Sequence, residues 1–435
     1  MKKEAIFPKS MPAPRVAYSP VIKAGQFVYV SGQVPSDFVT GIPPAAKTNA
    51  EFPNHGVNIE HQTDYVMKNI STLLEAGGSS LENCLFLILY QDNASELHGT
   101  KRVLQDLYGA AGAPPSATIL LEELPVPNCN LEVDAIGYVP QPGESIEFLN
   151  PASLPKPVPS GLDDRPLFNY GVKAGQYIFT ASITATDFEH GVAPEAALDP
   201  NFIYYAEIGR LQTEYILDKL KTILAEGGAT MADVVKAEVY MTDRDDFFRF
   251  EQVWKKYFPT DPPARIIAPV SGLGVPGLRI AVNLVAYLPG DGPPKCTIQT
   301  DGAPTPLTHE PQAVQAGNLL FFSGQMATDY KNGLAPEARV DPNFPYYESP
   351  AELDVRYVVK NIDAICAAAG TTRNHLVRRR GLYTDFREFF TSFVAWAEEF
   401  PEAPPASTTV RLPAPLLVPD CKVVIDLLAI IPDGD

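Results

Sequence analysis

Apolar positions along the middle third of the chain follow two periods. "QYIFTASI" (176–183), "VVKAEVYM" (234–241) and "RIAVNLVAYL" (279–288) are short runs of β-branched and aromatic residues and predict strands. Ile208, Leu211, Tyr215, Leu220 and Ile223 recur at helical spacing, and Gly227-Gly228 supplies a left-handed C-terminal cap. Phe247, Phe250, Trp254 and Tyr257 mark a second helix, stopped by Pro259. The unit therefore reads hairpin, helix, strand, helix, strands: an α+β layer with its helices on one sheet face. The other face is apolar too and needs cover.

The same unit occurs three times. "KAGQFVYVSGQVPSDF" from Lys23 returns as "KAGQYIFTASITATDF" at Lys173 and "QAGNLLFFSGQMATDY" at Gln315, offsets of 150 and 142 residues. "EAGGSS", "AEGGAT" and "AAAGTT" follow, then "NLEVDAIGY", "RIAVNLVAY" and "VVIDLLAII", always in that order. The expected domains are residues 1–142, 161–290 and 307–435. Proline-rich stretches at 143–160 and 291–306 read as extended linkers. Three sheets with one uncovered face each are best satisfied by a closed three-fold ring, sheets inside and helices outside, and fusion removes the entropy of assembling it. A string of three separate beads is the alternative.

Composition narrows the partners. The 435 residues carry a net charge of -18, which repels nucleic acid and anionic lipid and leaves a small molecule or another protein. No apolar run is long enough to span a membrane, and "MKKEAIFPKSMP" lacks the core of a signal peptide, so the cytoplasm is the expected location. Cys84, Cys129, Cys296, Cys366 and Cys421 are odd in number and never spaced as CxxC, which predicts buried thiols rather than disulfides or zinc.

The AGQxxxxSGQ hairpin, the "AGG" helix stop, the "VYMTD" strand end, the "PPAR" turn and the "NLEVDAIGY" strand, in this order, resemble the RidA/YjgF family of reactive-intermediate deaminases. The resemblance covers nearly the whole chain three times. It implies a chorismate-mutase-like fold and a trimer, here an intramolecular pseudo-trimer that needs no second chain. It also implies cofactor-free hydrolysis of an enamine or imine of a small carboxylate in clefts between subunits. The family's carboxylate-binding arginine matches Arg265, with Ser116 and Ser407 in the other copies. Its cysteine matches Thr118, Ile267 and Thr409. Its glutamate matches Glu132, replaced by Ala281 and Val424. Its tyrosine matches Tyr18, replaced by Phe168 and Glu310. The SGQ glycine matches Gly32 and Gly324, with Ser182 in copy two.

No copy is complete, so the resemblance implies that sites are assembled in trans, with Arg265 of copy two facing Tyr18 of copy one. The family pattern has glutamate and arginine on one subunit, which separates Glu132 from Arg265. A guanidinium suits the anchoring task because its planar fork gives a carboxylate two parallel bonds. The competing accounts are a surface arginine after a turn, solvated edge charges for Glu132 and Asp134, and a buried interface tyrosine for Tyr18.

Other features remain. In "VRRRG", alternation sends Arg378 and Arg380 to one face and Arg379 to the other. Arg378 matches Lys236, and Arg380 is matched with Glu238 and Leu87; ion pairing across an interface is the favoured account. The inserts at 191–205 and 333–347 end in Tyr204-Tyr205 and Tyr346-Tyr347 and are expected to pack over a helix start, with turns at Asp199 and Asp341. The six histidines do not recur at equivalent positions, and no metal motif is present. Three-fold repeats also resemble, in architecture only, the cyanuric acid hydrolase and barbiturase family, which would make Ser116 and Ser407 nucleophile candidates; no lysine recurs at a suitable offset. A ligand-binding scaffold of eroded domains is the reading from another class.

Overall fold

The computed structural model describes residues 1–12, 14, 16–158, 165–202, 207–400 and 402–432. Repeat one contains β1 (Lys3–Ile6), β2 (Val21–Ala24), β3 (Phe27–Gln33), α1 (Asn58–Ala76), β4 (Cys84–Gln91), α2 (Leu97–Tyr108), β5 (Ser116–Leu120) and β6 (Leu131–Tyr138). Repeat two contains β7 (Glu147–Leu149), β8 (Gly171–Ala174), β9 (Tyr177–Thr180), β10 (Ile183–Thr184), α3 (Ile208–Glu226), β11 (Val234–Met241), α4 (Phe247–Tyr257), β12 (Ala264–Pro269) and β13 (Ile280–Tyr287). Repeat three contains β14 (Cys296–Ile298), β15 (Ala313–Ala316), β16 (Leu319–Phe322), α5 (Pro350–Ala368), β17 (Leu376–Tyr383), α6 (Phe389–Glu399), β18 (Ala406–Arg411) and β19 (Val423–Ile430).

Each repeat forms one mixed sheet of the same order, β1-β2-β3-β6-β4-β5 in repeat one. β4 and β5 run parallel because α2 crosses between them, and the other pairs are antiparallel. β4 reads "CLFLILYQ" without polar alternation because both of its faces are buried. Leu87 and Leu89 pack with Val66, Ile70 and Leu73 of α1, whereas Ile88 and Tyr90 point into a core shared by all three sheets. Repeat three divides likewise: Ile425 and Leu427 of β19 meet Val358 and Ile362 of α5, while Val424 and Leu428 join the shared core. The chain is thus a closed pseudo-trimer with sheets inside and helices outside.

The ring closes through equivalent contacts. The Ser182 N–H donates to the Ser116 carbonyl at 3.0 Å, and the Gly324 N–H to the Arg265 carbonyl at 2.9 Å. The Ser407 N–H donates to Ser31 Oγ at 2.8 Å, as the Arg265 N–H does to Ser323 Oγ at 3.0 Å. Where the sheets converge, Lys236, Arg378 and Arg380 meet Asp134, Glu238 and Asp426, all buried. Arg378 reaches Asp134 at 2.9 Å, Arg380 reaches Glu238 and Asp426 at 2.7 Å each, and Lys236 reaches Asp426 at 2.5 Å. Three cations on three carboxylates leave the centre neutral, which burial requires. The interface ion pairing expected for "VRRRG" is found here, although the strand register puts Ile88 rather than Leu87 in line with Arg380.

Other expectations need correction. The proline-rich stretches are not free linkers: β7 and β14 add to the edges of the following sheets as β1 does in repeat one. At the end of α3 only Gly228 is left-handed, at φ +82°. Tyr346 and Tyr347 do not pack over a helix but are 95% and 84% exposed, while Tyr204 and Tyr205 lie outside the described residues. The turns at Asp199 and Asp341 are present, each carboxylate accepting the N–H two residues on at 2.8 Å. Four cysteines are buried and Cys296 is exposed. No described helix is long and apolar enough to cross a membrane.

Candidate functional site

The three interfaces place the same five positions together, and they divide differently from the expected pattern. The arginine and cysteine positions come from one repeat; the tyrosine, glycine and glutamate positions come from the next. Ser116 and Thr118 of repeat one face Phe168, Ser182 and Ala281 of repeat two around one cavity. Arg265 of repeat two faces Glu310 of repeat three, not Tyr18. In the third interface Glu132 accepts a bond from the Thr409 backbone and lies near Tyr18. Glu132 and Arg265 are therefore in different clefts because the glutamate position faces the neighbouring repeat.

Between repeats two and three the cleft is shut. The Arg265 guanidinium is fully buried, with Nε 2.8 Å from Glu310 and Nη1 2.9 Å from Glu251, and it lies over Trp254 at 4.8 Å. The Glu251 contact is coulombic rather than an aligned hydrogen bond. Glu251 also accepts the His309 N–H at 2.6 Å, and Trp254 Nε1 donates to the His309 carbonyl at 3.1 Å. These residues clasp the two repeats together. Beside Gly324 remains a cavity of about 10 Å³, room for one water at most. The cation expected to anchor a substrate already holds two carboxylates.

Between repeats three and one, Glu132 is buried rather than solvated as an edge charge. Burial, reinforced by Asp134, holds its carboxyl well above the ordinary range, and Oε2 has no hydrogen-bond partner among the described residues. Tyr18 is pushed up to about 12 by burial and by Glu132. Gly32 must be glycine because a Cβ there would stand 1.9 Å from Glu132 Oε1. In repeat two, Ala281 removes that carboxyl and Ser182 has a side chain. Behind Ser407 lies Arg379, fully buried, its Nη1 donating to Ser407 Oγ at 3.2 Å and its Nη2 to Tyr383 at 3.0 Å. Arg379 stacks over Trp396 at 4.7 Å, as Arg265 does over Trp254. Register explains the exchange: Arg379 pairs with Ser407 across β17 and β18, while Ala237 pairs with Arg265 across β11 and β12.

The cleft between repeats one and two is open. Its cavity of about 340 Å³, within the range of small-molecule sites, is walled by Leu97, Phe168, Ile183, Leu273, Val275 and Leu278. Its ionisable groups include Lys101 on α2 and Lys219 on α3, with His98 and Tyr170; among the described residues no carboxylate lines it. Lys101 Nζ donates to Thr118 Oγ1 at 2.6 Å. Lys219 Nζ donates to the Thr186 carbonyl at 2.7 Å and lies 4.4 Å from the Tyr215 ring centre. Burial lowers both lysines to about 8. The Ser182 hydroxyl has no hydrogen-bond partner among the described residues.

Helix register relates the clefts. Lys101, Glu251 and Phe393 are each the fifth residue of α2, α4 and α6. Lys101 stands where β5 has serine, Glu251 neutralises Arg265, and Phe393 lies 5.4 Å from Arg379. Each interface thus has one cation near the arginine position, supplied by α2, β12 or β17. Sequence reading missed Lys101 and Lys219; comparing charge at equivalent helix positions is the signal that finds Lys101. Among the described residues no cluster of metal-ligating side chains occurs.

The family model described as Endoribonuclease L-PSP matches residues 8–139, 170–288 and 300–431. A RutC family protein of Pyrococcus abyssi is 32% identical over 120 residues, covering 28% of this chain and 85% of that protein. One from Pyrococcus horikoshii is 31% identical over 136 residues, 31% of this chain and 98% of that protein. The structure of RidA from the Antarctic bacterium Psychrobacter sp. is 29% identical, covers 31% of this chain and 98% of its own, and gives a TM-score of 0.26. With the matches falling in turn on the three sheets, the chain belongs to the endoribonuclease L-PSP family, the family of RutC and RidA proteins, as three copies fused in one polypeptide.

Proposed function

We propose that the protein hydrolyses the carbon–nitrogen bond of a small imine or enamine acid with an apolar side chain, in the cleft between repeats one and two. The observation that carries this reading is the position and lining of the cavity. It lies at the five positions that the resemblance singles out, its walls are apolar, and among the described residues no carboxylate lines it, Asp187 and Glu195 acting on Lys219 from outside the lining. Lys219 is suited to hold the substrate carboxylate: the Thr186 carbonyl takes one of its three N–H groups, and burial strengthens attraction to an anion. The unpartnered Ser182 hydroxyl supplies a further donor. The endoribonuclease activity in the family's name suits this chain poorly, since a net charge of -18 works against a polyanion.

The test is ammonia and 2-oxo acid release from imine acids generated in place, with Lys219→Met alongside. Turnover of linear and branched apolar substrates, weakened in the variant mainly through KM, supports the proposal. Ala281, standing where the family has its glutamate, favours a second reading as a ligand-binding module. In that case a small apolar carboxylate raises the melting temperature and is not consumed.

A further inference from the structure

We infer that Lys101 is a covalent nucleophile, whose amine attacks the trigonal carbon of an imine or 2-oxo acid held between repeats one and two. The inference rests on that cleft being the substrate site, and it supplies what the site otherwise lacks. Ala281 removes the carboxylate that would position a water, and among the described residues no other carboxylate lines the cavity. A nucleophile already in the cleft makes the first attack on carbon without needing that water, and leaves water to add to the more electrophilic protonated imine.

Lys101 and Lys219 are held in different ways. The Thr186 carbonyl can only accept, so its bond favours a donating Lys219 ammonium. Thr118 Oγ1 can accept from an ammonium or donate to a neutral amine, so the 2.6 Å contact of Lys101 survives loss of the proton. Lys101 is half-buried, burial is the one cause that shifts its amine, and among the described residues no carboxylate lies within ion-pair distance of it. Thr118 projects from β5 beside Ser116, so this contact places the amine at the family's site positions. A desolvated lysine without a counter-ion is the environment that activates amines toward carbonyl carbon.

The step balances. The Lys101 lone pair adds to the carbon of a protonated imine, and the π electrons pass to the substrate nitrogen. A proton moves from the lysine nitrogen to the substrate nitrogen, which leaves as ammonia, giving a protonated imine between Lys101 and the substrate carbon. Water adds to that carbon, the bond to Lys101 breaks, and the products are 2-oxo acid and a lysine ammonium that returns its extra proton to solvent. The net reaction is imine plus water to 2-oxo acid plus ammonia.

The experiment is reductive trapping of the full-length protein with 2-oxobutanoate and cyanoborohydride near neutral pH, read by peptide mass mapping. The expected result is one adduct on Lys101, forming roughly 100-fold faster than on lysines with the ordinary pKa near 10.4. Exposed Lys68 and Lys360 are the internal references. Adducts distributed by exposure, or placed on Lys219, overturn the inference, and the wild-type map decides even if Lys101→Arg fails to fold. A folded Lys101→Arg that loses the adduct supports it. An adduct on Lys101 without imine turnover supports the nucleophile and removes the deaminase reading. Turnover without an adduct does the reverse.

Discussion

Arg265→Ala tests whether the motif arginine is an anchor for substrate or a clasp between repeats. In the folded protein its guanidinium is fully buried between Glu251 and Glu310 and stacks on Trp254. Truncation leaves Glu251, buried, and Glu310, whose side chain is 10% exposed, without their cation. Removing one partner of a buried ion pair costs about 3–5 kcal/mol, and the lost packing of a stacked side chain adds to it. The expected outcome in urea unfolding at neutral pH is a loss in that range. The second half of the comparison is Arg265→Met combined with Glu251→Gln and Glu310→Gln, which removes the stranded charges and should recover most of the loss. Imine turnover in the other cleft should persist in every variant that remains folded. A folded Arg265→Ala that unfolds within about 1 kcal/mol of wild type, the range of an exposed pair, and loses turnover would refute the clasp and restore the anchor.

Further outcomes follow from the same geometry. Asp134→Ala leaves Arg378 at the centre of the ring with only the 3.7 Å contact to Glu238, which Arg380 shares, and should cost about 3 kcal/mol in urea unfolding; no measurable loss would show that the central charges are solvated. Glu132 and Asp354 both have folded pKa values raised by burial, Asp354 to about 7. The folded state binds their protons more tightly, so their contribution to stability is full below the unfolded carboxylate range and is lost as pH rises, for Asp354 between about 4 and 7. Glu132→Gln and Asp354→Asn should therefore stabilise the protein more at pH 7 than at pH 4, and an unchanged difference between the two pH values would contradict this. Ala281→Phe fills the open cavity and should abolish turnover at a folding cost of about 1–3 kcal/mol; retained turnover would move the site elsewhere.

The repeats, the order of their elements and the closed ring were legible because they follow from periodicity and from the need to bury two apolar faces per sheet. "CLFLILYQ" alone signals a strand covered on both sides. The site was less legible because its groups moved between elements. A cation belongs near each arginine position, yet only Arg265 stands in the motif; Lys101 comes from the preceding helix and Arg379 from the adjacent strand. The arginine column alone cannot show such an exchange, since the compensating residue lies in another column: that of Glu251 and Phe393 for Lys101. The state of Arg265 was also illegible, because Glu251 and Glu310 that neutralise it lie on other elements. Each stretch read as an extended linker contains one three-residue strand, since runs as short as "EFL" carry no periodic signal.

Strands β7 and β14 tether two of the three joints in the ring, so those joints reform at an effective concentration set by a short connection. The joint between repeats three and one has no tether, only contacts such as Ser407 N–H to Ser31 Oγ and the paired backbones of Glu123 and Arg411. A ring with one untethered joint breathes there first. Amide exchange at Ser407 is then faster than at Gly324, whose N–H is bonded to the Arg265 carbonyl across a tethered joint. The seam runs past Glu132, so solvent is expected to reach that buried carboxyl before it reaches the equivalent depth of the tethered joints.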